Sequence, residues 1–187
     1  MVYANPAMGL AYFYFDGGDQ GKQTDENLLS SLAMTFAVKS GNYSVLENLH
    51  NQHWWLHKPT VTELLEALRE LTRGFQGAYI IIDALDECSQ YDDLFKVVMG
   101  MLHWNMPHLH LLVTSRRENY IADTILRYHP LEVVLSEDLI GHDIVTYIHE
   151  TMEEMKHYRK WDTGLQQKIM DKLINGANGM SVLVFLK

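Results

Sequence analysis

The sequence predicts an α/β fold built on a parallel sheet, followed by a short helical segment. Four short runs are apolar at consecutive positions instead of alternate ones, as is typical of strands that are covered on both faces. The runs are 10–15 (LAYFYF), 78–83 (AYIIID), 109–114 (LHLLVT) and 131–135 (LEVVL). Helical patterns separate these runs, and the alternation of strand and helix favours right-handed βαβ units.

Three helices are predicted between the strands from their caps and their apolar spacing. The first begins after Thr24, a candidate N-cap, and ends at Gly41. The second begins after Thr60, which forms a capping-box pattern with Glu63. The third covers about residues 91–104. All three place apolar side chains at helical spacing, so each presents a face that can pack on the sheet.

The pattern changes after Ser136, where two amphipathic helices replace the alternation of strand and helix. They cover residues 143–155 and 165–175. The sequence therefore predicts two parts: an α/β core over residues 1–136 and a helical segment over residues 137–187.

Size, cysteine content and charge indicate one globular core in a reducing compartment. The chain has 187 residues, a length at which a core forms without a disulfide or a structural metal. Cys88 is the only cysteine, and the formal net charge of −9 disfavours a nucleic-acid partner. No apolar run approaches the roughly 18 residues of a membrane helix. These features predict a cytoplasmic protein that has no membrane span.

Polar side chains follow three of the four predicted strands, with Asp16 after the first, at the edge where ligands bind in parallel sheets. Asp83 ends the second strand, and Asp86 and Glu87 lie in the loop that leaves it. Such acids can hold a magnesium ion through water and orient an attacking water. Arg116 follows Ser115 at the end of the third strand, where a guanidinium could meet a phosphate. The alternative is that these charges only solvate exposed strand ends.

The strings IIIDALDEC (80–88) and LLVTSRRE (111–118) resemble the Walker B and sensor 1 elements of the NACHT family. That family belongs to the STAND class of P-loop signalling ATPases. LAYFYFD, the KQT after it and the leucine-rich helix look like fungal members with a nephrocystin-3-like N-terminal domain. DIVTYIHE and NGANGM are similar to the family's helical segment. The resemblance covers nearly the whole chain, and it implies a three-layer α/β/α sheet of the P-loop NTPase type.

The resemblance also implies roles for individual residues. Asp83 matches the magnesium-coordinating acid of Walker B, and Asp86 and Glu87 match the acidic pair that serves hydrolysis. Arg116 matches the sensor arginine, and Ser115 beside it is expected to contact the nucleotide. The cofactors expected for a complete domain are magnesium and ATP or GTP. In complete members the nucleotide switches the oligomeric state during signalling, so protein partners or self-association are expected.

The phosphate-binding loop is the part of the family pattern that the sequence does not match. In the family a strand and a G-x-x-x-x-G-K-[ST] loop precede the LAYFYF strand, whereas here nine residues precede it. The segment 17–24 (GGDQGKQT) has the right context, yet Asp16 stands where the first glycine belongs and Gln23 replaces the hydroxyl residue. We therefore expect a partial NACHT domain that binds nucleotide poorly, and hydrolysis is left open. The alternative is a nucleotide-independent protein-interaction module that retains the fold.

The absent first strand also affects the sheet. In the family that strand lies between the sensor strand and the final strand, so 109–114 and 131–135 would lack their shared neighbour. We expect either that 131–135 closes directly onto 109–114, or that the chain is poorly soluble or oligomeric with 109–114 at the contact.

Overall fold

The computed structural model describes residues 5–53, 57–116, 118–125, 127, 130–135, 137–155, 158–177 and 182–186. The strands are β1 (Met8–Tyr14), β2 (Gly77–Asp83), β3 (Leu109–Arg116), β4 (Leu131–Leu135) and β5 (Val182–Leu186). The helices are α1 (Asp25–Ser40), α2 (Ser44–His53), α3 (Val61–Thr72), α4 (Tyr91–His103), α5 (Asn119–Ile125), α6 (Glu137–Glu154) and α7 (Thr163–Ala177).

The strands form a sheet in the order β1-β2-β3-β5-β4. β1 pairs parallel with β2, with Met8 opposite Gly77. β2 pairs parallel with β3, with Ala78 opposite Leu109. Helix α1 packs on β1, and α3 packs on both α1 and α4. The predicted α/β class is therefore confirmed, with helices that flank a parallel sheet.

The core lies on one face of β1, β2 and β3, where every second side chain is buried. The parallel register places these side chains in rows across the three strands, so they form a continuous apolar surface for the helices. The buried strand residues are Ala11, Phe13, Ile80, Ile82, Leu111 and Val113, and those of the helices include Leu28, Leu32, Phe36 and Leu68.

The opposite face of β1 is partly open to solvent. Tyr12 is 46% exposed and Tyr14 is 52% exposed, and their ring centroids lie 5.4 Å apart. The prediction that the run 10–15 is covered on both faces is therefore wrong. A tyrosine ring can pack while its hydroxyl reaches water, so consecutive aromatic residues do not require two covered faces.

The predicted helix boundaries rest on caps that form as expected. The Asn27 N–H donates to Thr24 Oγ1 at 3.3 Å, and α1 ends at Gly41, whose φ of 69° is left-handed. The Glu63 N–H donates to Thr60 Oγ1 at 3.3 Å, and the Thr60 N–H donates to Glu63 Oε2 at 2.8 Å. Among the described helices, none combines the length and the apolar character that crossing a membrane requires.

Contacts divide the chain into two compact units. The first comprises Met1–Glu132 and Val184–Lys187, and the second comprises Val133–Leu183. Within the second unit α6 and α7 pack against each other, and the buried side chains include Met152 and Met170. The domain boundary after residue 136 stays a prediction.

The strand order corrects the expectation about the open edge. β3 has β2 on one side and β5 on the other, so 131–135 does not close directly onto 109–114. A strand from the same chain therefore takes the position beside β3 that was expected to be empty. In the described sheet the open edge next to β2 is β1 instead. Self-association of the chain stays a prediction, but β3 is not available for it.

Candidate functional site

The candidate site lies at the carboxyl ends of β1, β2 and β3. Asp83 is the last residue of β2, and the Thr114 hydroxyl on β3 donates a hydrogen bond to Asp83 Oδ1. The same hydroxyl accepts from the Ala84 N–H at 3.1 Å. Ala84 has a left-handed φ of 56°, so the chain turns sharply as it leaves the strand. Thr114 therefore fixes both the carboxylate of Asp83 and the turn that follows it.

Asp86 joins the β2 loop to the end of β3. Its Oδ1 accepts from the Arg116 N–H at 2.9 Å and from the Ser115 hydroxyl at 3.3 Å. Its side chain is 9% exposed, and the Tyr91 hydroxyl donates to its backbone carbonyl at 2.7 Å. These donors balance the burial of the Asp86 carboxylate, which in this way connects the β2 loop to β3.

Glu87 joins the β2 loop to the end of β1. Its Oε2 accepts from the Gly17 N–H at 2.8 Å. Its Oε1 lies 3.5 Å from Nη2 of Arg116, whose Nε lies 3.5 Å from Oδ2 of Asp86. The Arg116 side chain is 63% exposed, so solvent screens both ion pairs and each contributes little stability. The guanidinium can leave these carboxylates at small cost.

In the loop after β1, backbone amides donate hydrogen bonds to acidic side chains of the same loop. The Gly18 N–H donates to Asp16 Oδ1, and the Gly21 N–H donates to Asp19 Oδ1, both at 2.9 Å. Lys22 lies 3.5 Å from the Asp19 carboxylate. A phosphate loop instead presents free amides and a free lysine to its ligand. The donor groups of this loop therefore do not fit a triphosphate.

Of the three acids at the end of β2, only Asp83 has a carboxylate that suits a magnesium ion. No set of three or more His, Cys, Asp or Glu side chains is arranged to hold a metal ion in the part of the chain that the structure describes. Asp83 offers one carboxylate beside a hydroxyl, a donor set that suits a magnesium ion which keeps most of its water. Asp86 and Glu87 are held by Arg116 and Gly17.

The structure brings the sequence-predicted residues together with two that the sequence did not single out for the site. Asp86, Glu87, Ser115 and Arg116 form one group that is joined by hydrogen bonds and by ion pairs. The hydroxyl of Thr114 was detectable as a polar residue at the end of an apolar strand. The Gly17 amide was not, because a backbone donor carries no side-chain signal. Asp83 is the one predicted site residue that bonds through Thr114.

A comparison with family models identifies the chain over its strand-bearing part. The family model described as "Nephrocystin 3, N-terminal" matches residues 3–116, which is more than half of the chain. No curated protein and no solved structure matches the chain. The matched residues include β1, β2 and β3 and every predicted site residue, and the chain belongs to the nephrocystin 3 N-terminal family.

Proposed function

We propose that this chain is the Walker B and sensor portion of a NACHT-type STAND NTPase domain, of the kind found in fungal signalling proteins. The observation that carries the proposal is the acidic group at the ends of three adjacent strands. Asp83, Asp86 and Glu87 lie at the end of β2 or within a few residues after it. Asp86 is bonded to the end of β3, and Glu87 is bonded to the loop after β1. That edge is where nucleotides bind in parallel α/β sheets.

Asp83 is the residue that would hold a magnesium ion through water. Thr114 keeps its carboxylate oriented by donating to one oxygen, which leaves the other oxygen for a hydrated cation. Magnesium supplies charge neutralisation at phosphate oxygens when it is bound. In this proposal Glu87 orients water, and Arg116 exchanges its carboxylate partners for a phosphate, since its side chain is exposed.

Nucleotide binding by this chain is proposed to be weak. In the loop after β1, Asp16, Asp19 and Glu87 accept hydrogen bonds from the loop amides, and Asp19 also lies 3.5 Å from Lys22, so these acids would repel a phosphate from the groups that grip it elsewhere. Titration calorimetry with magnesium and ATP should show no binding tighter than the millimolar range. Micromolar binding that Lys22→Ala abolishes would refute this, because the loop would then be a working phosphate loop.

The experiment that tests the site uses the chain together with whatever residues precede it in its gene. If those residues supply a phosphate loop, Asp83→Asn should weaken magnesium-dependent nucleotide binding, and Glu87→Gln should preserve binding while slowing hydrolysis. Asp92→Asn, which removes an exposed acid at the start of α4, is the matched control. Equal binding and turnover in all three variants would reduce the acids to solvated strand ends.

One observation favours a second candidate function, a nucleotide-independent interaction module. The carboxylates of Asp86 and Glu87 have donors from the protein itself. A site that is satisfied internally can serve stability alone. The two functions separate in the same experiment, since only the NTPase predicts magnesium-dependent binding by the longer chain.

A further inference from the structure

The outer edge of β1 presents backbone groups that no other strand of the described sheet engages. The Phe15 N–H donates to the Asp83 carbonyl oxygen at 3.0 Å, which places the backbone of Phe15 on the β2 side. Backbone groups point to opposite sides at successive residues of a strand. Those of Leu10, Tyr12 and Tyr14 therefore point away from β2. β1 ends the strand order of the described sheet, so no described strand lies on this side.

This edge lacks the features that normally prevent another strand from pairing with an edge strand. Isolated edges are normally protected by a charge, a proline or a bulge. The β1 sequence MGLAYFY contains no charged residue and no proline, and its register with β2 is continuous from Met8 to Tyr14. Pro6 lies before the strand. Nothing in β1 itself therefore opposes the addition of another strand.

We propose that β1 is the contact of a homodimer in which two copies of β1 pair antiparallel about a twofold axis at Tyr12. In this register Leu10 of one copy lies opposite Tyr14 of the other, and Tyr12 lies opposite Tyr12. In these three residues the N–H and C=O groups point outward, so each of their donors meets an acceptor. Met8 also points outward, and its N–H already donates to the Asn5 carbonyl oxygen at 3.1 Å. A twofold axis makes one surface complementary to itself, which requires no other sequence.

Side chains on the open face support the same occupant. The Tyr12 rings of the two copies meet at the axis, and Leu10 meets Tyr14 on either side of it. Cross-strand aromatic pairs of this kind stabilise a sheet relative to alanine pairs. The net charge of −9 opposes association at long range, but β1 adds no charge at the contact itself. A dimer therefore extends the parallel sheet through an uncharged aromatic strip.

Hydrogen exchange on the unaltered chain, resolved by residue and paired with sedimentation equilibrium, tests the proposal over a dilution series. We expect a dimer in which the Leu10, Tyr12 and Tyr14 amides are protected and become fast on dilution to the monomer. The amides of Ala11 and Phe13 face β2 and should stay protected in both states. A monomer at every concentration overturns the proposal, as does a dimer whose outward amides exchange as fast as in the monomer.

A pair of variants tests the contact by charge. Tyr12→Lys places like charges opposite each other at the axis and should raise the dimer dissociation constant by about tenfold or more. Tyr147→Lys makes the same change at an exposed tyrosine of α6 and should leave the constant unchanged. Circular dichroism confirms that both variants fold. Equal weakening by both variants would overturn the proposal, and so would protection of the outward amides only after a strand from another protein is added.

Discussion

Asp25→Asn should stabilise this protein at neutral pH, because Asp25 is an acid that the fold buries without adequate compensation. The residue is 2% exposed at the first turn of α1. The Glu26 N–H donates to its Oδ1 at 3.0 Å, but its Oδ2 has no hydrogen-bond partner among the described residues. Burial raises the pKa of the Asp25 carboxyl, and the neighbouring Glu26 side chain raises that pKa further.

The expected change in stability on Asp25→Asn is the difference between two opposing contributions. A buried polar group without a partner costs about 1–3 kcal/mol, and more when it is charged. The asparagine keeps an oxygen for the Glu26 N–H and replaces the buried charge with a neutral amide, whose Nδ2 group can donate to the neighbouring Glu26 side chain. The change forfeits about 0.3–1 kcal/mol of favourable interaction with the α1 dipole. Relief of burial is the larger contribution. We expect a net gain of about 1–2 kcal/mol at pH 7, which for a chain of this size is about 2–8 °C in Tm.

The pH dependence gives the sign of the effect independently. Because the folded-state pKa of Asp25 is above the unfolded one, its proton stabilises the fold at low pH, and that stability is lost as pH rises through the folded pKa. Asp25→Asn should therefore have a higher Tm than the natural chain at pH 7. The difference in Tm should shrink as the pH falls toward the ordinary pKa range of an aspartate side chain. Thermal melts by circular dichroism from pH 4.5 to 8 measure this difference.

Asp92→Asn is the matched control, because Asp92 is an exposed acid in the first turn of α4. Its substitution removes the dipole interaction without relieving any burial, so it should be neutral or slightly destabilising at pH 7. A lower Tm for Asp25→Asn than for the natural chain at pH 7, or a difference in Tm that is the same at every pH, would show that burial of the Asp25 charge does not destabilise the fold.

The remaining predictions concern two residues near the site. Thr114→Val should cost about 1–3 kcal/mol in urea unfolding, since the change leaves the Asp83 oxygen and the Ala84 N–H without their shared partner; an unchanged midpoint would show that water replaces the hydroxyl. Burial raises the pKa of the Cys88 thiol, so in the folded chain it should react with a thiol reagent far more slowly than in urea below pH 9. Equal rates in both states would contradict its burial.

The elements that sequence analysis located best are those whose signals are local. The caps at Thr24 and Thr60 each involve residues three positions apart, so the pattern can be read along the chain. Helices α2 and α5 were not predicted. α5 has seven residues and follows directly on β3, which leaves too little periodicity to distinguish it from a loop.

The site was predicted at the level of residue types and not of contacts. The strings around Asp83 and Arg116 placed the charges at strand ends, because the carboxyl end of a strand is visible in sequence. The hydrogen bond from the Gly17 amide to Glu87 could not be predicted, because the two residues lie 70 positions apart and the donor is a backbone group. The position of β5 in the sheet was missed for the same reason, because strand order is decided by pairing between distant segments.

The parallel register of β1 with β2 shapes how the chain reaches its native state. Met8 lies opposite Gly77, and the whole of α1, α2 and α3 lies between them in the chain. Closing so long a loop costs conformational entropy before the hydrogen bonds and contacts between the strands form. Parallel pairing of this kind is therefore slow compared with local helix formation. The three helices can form while β1 still has no partner on either side. During that interval MGLAYFY is an uncharged, aromatic strand without protection, and off-pathway aggregation in refolding should depend steeply on protein concentration.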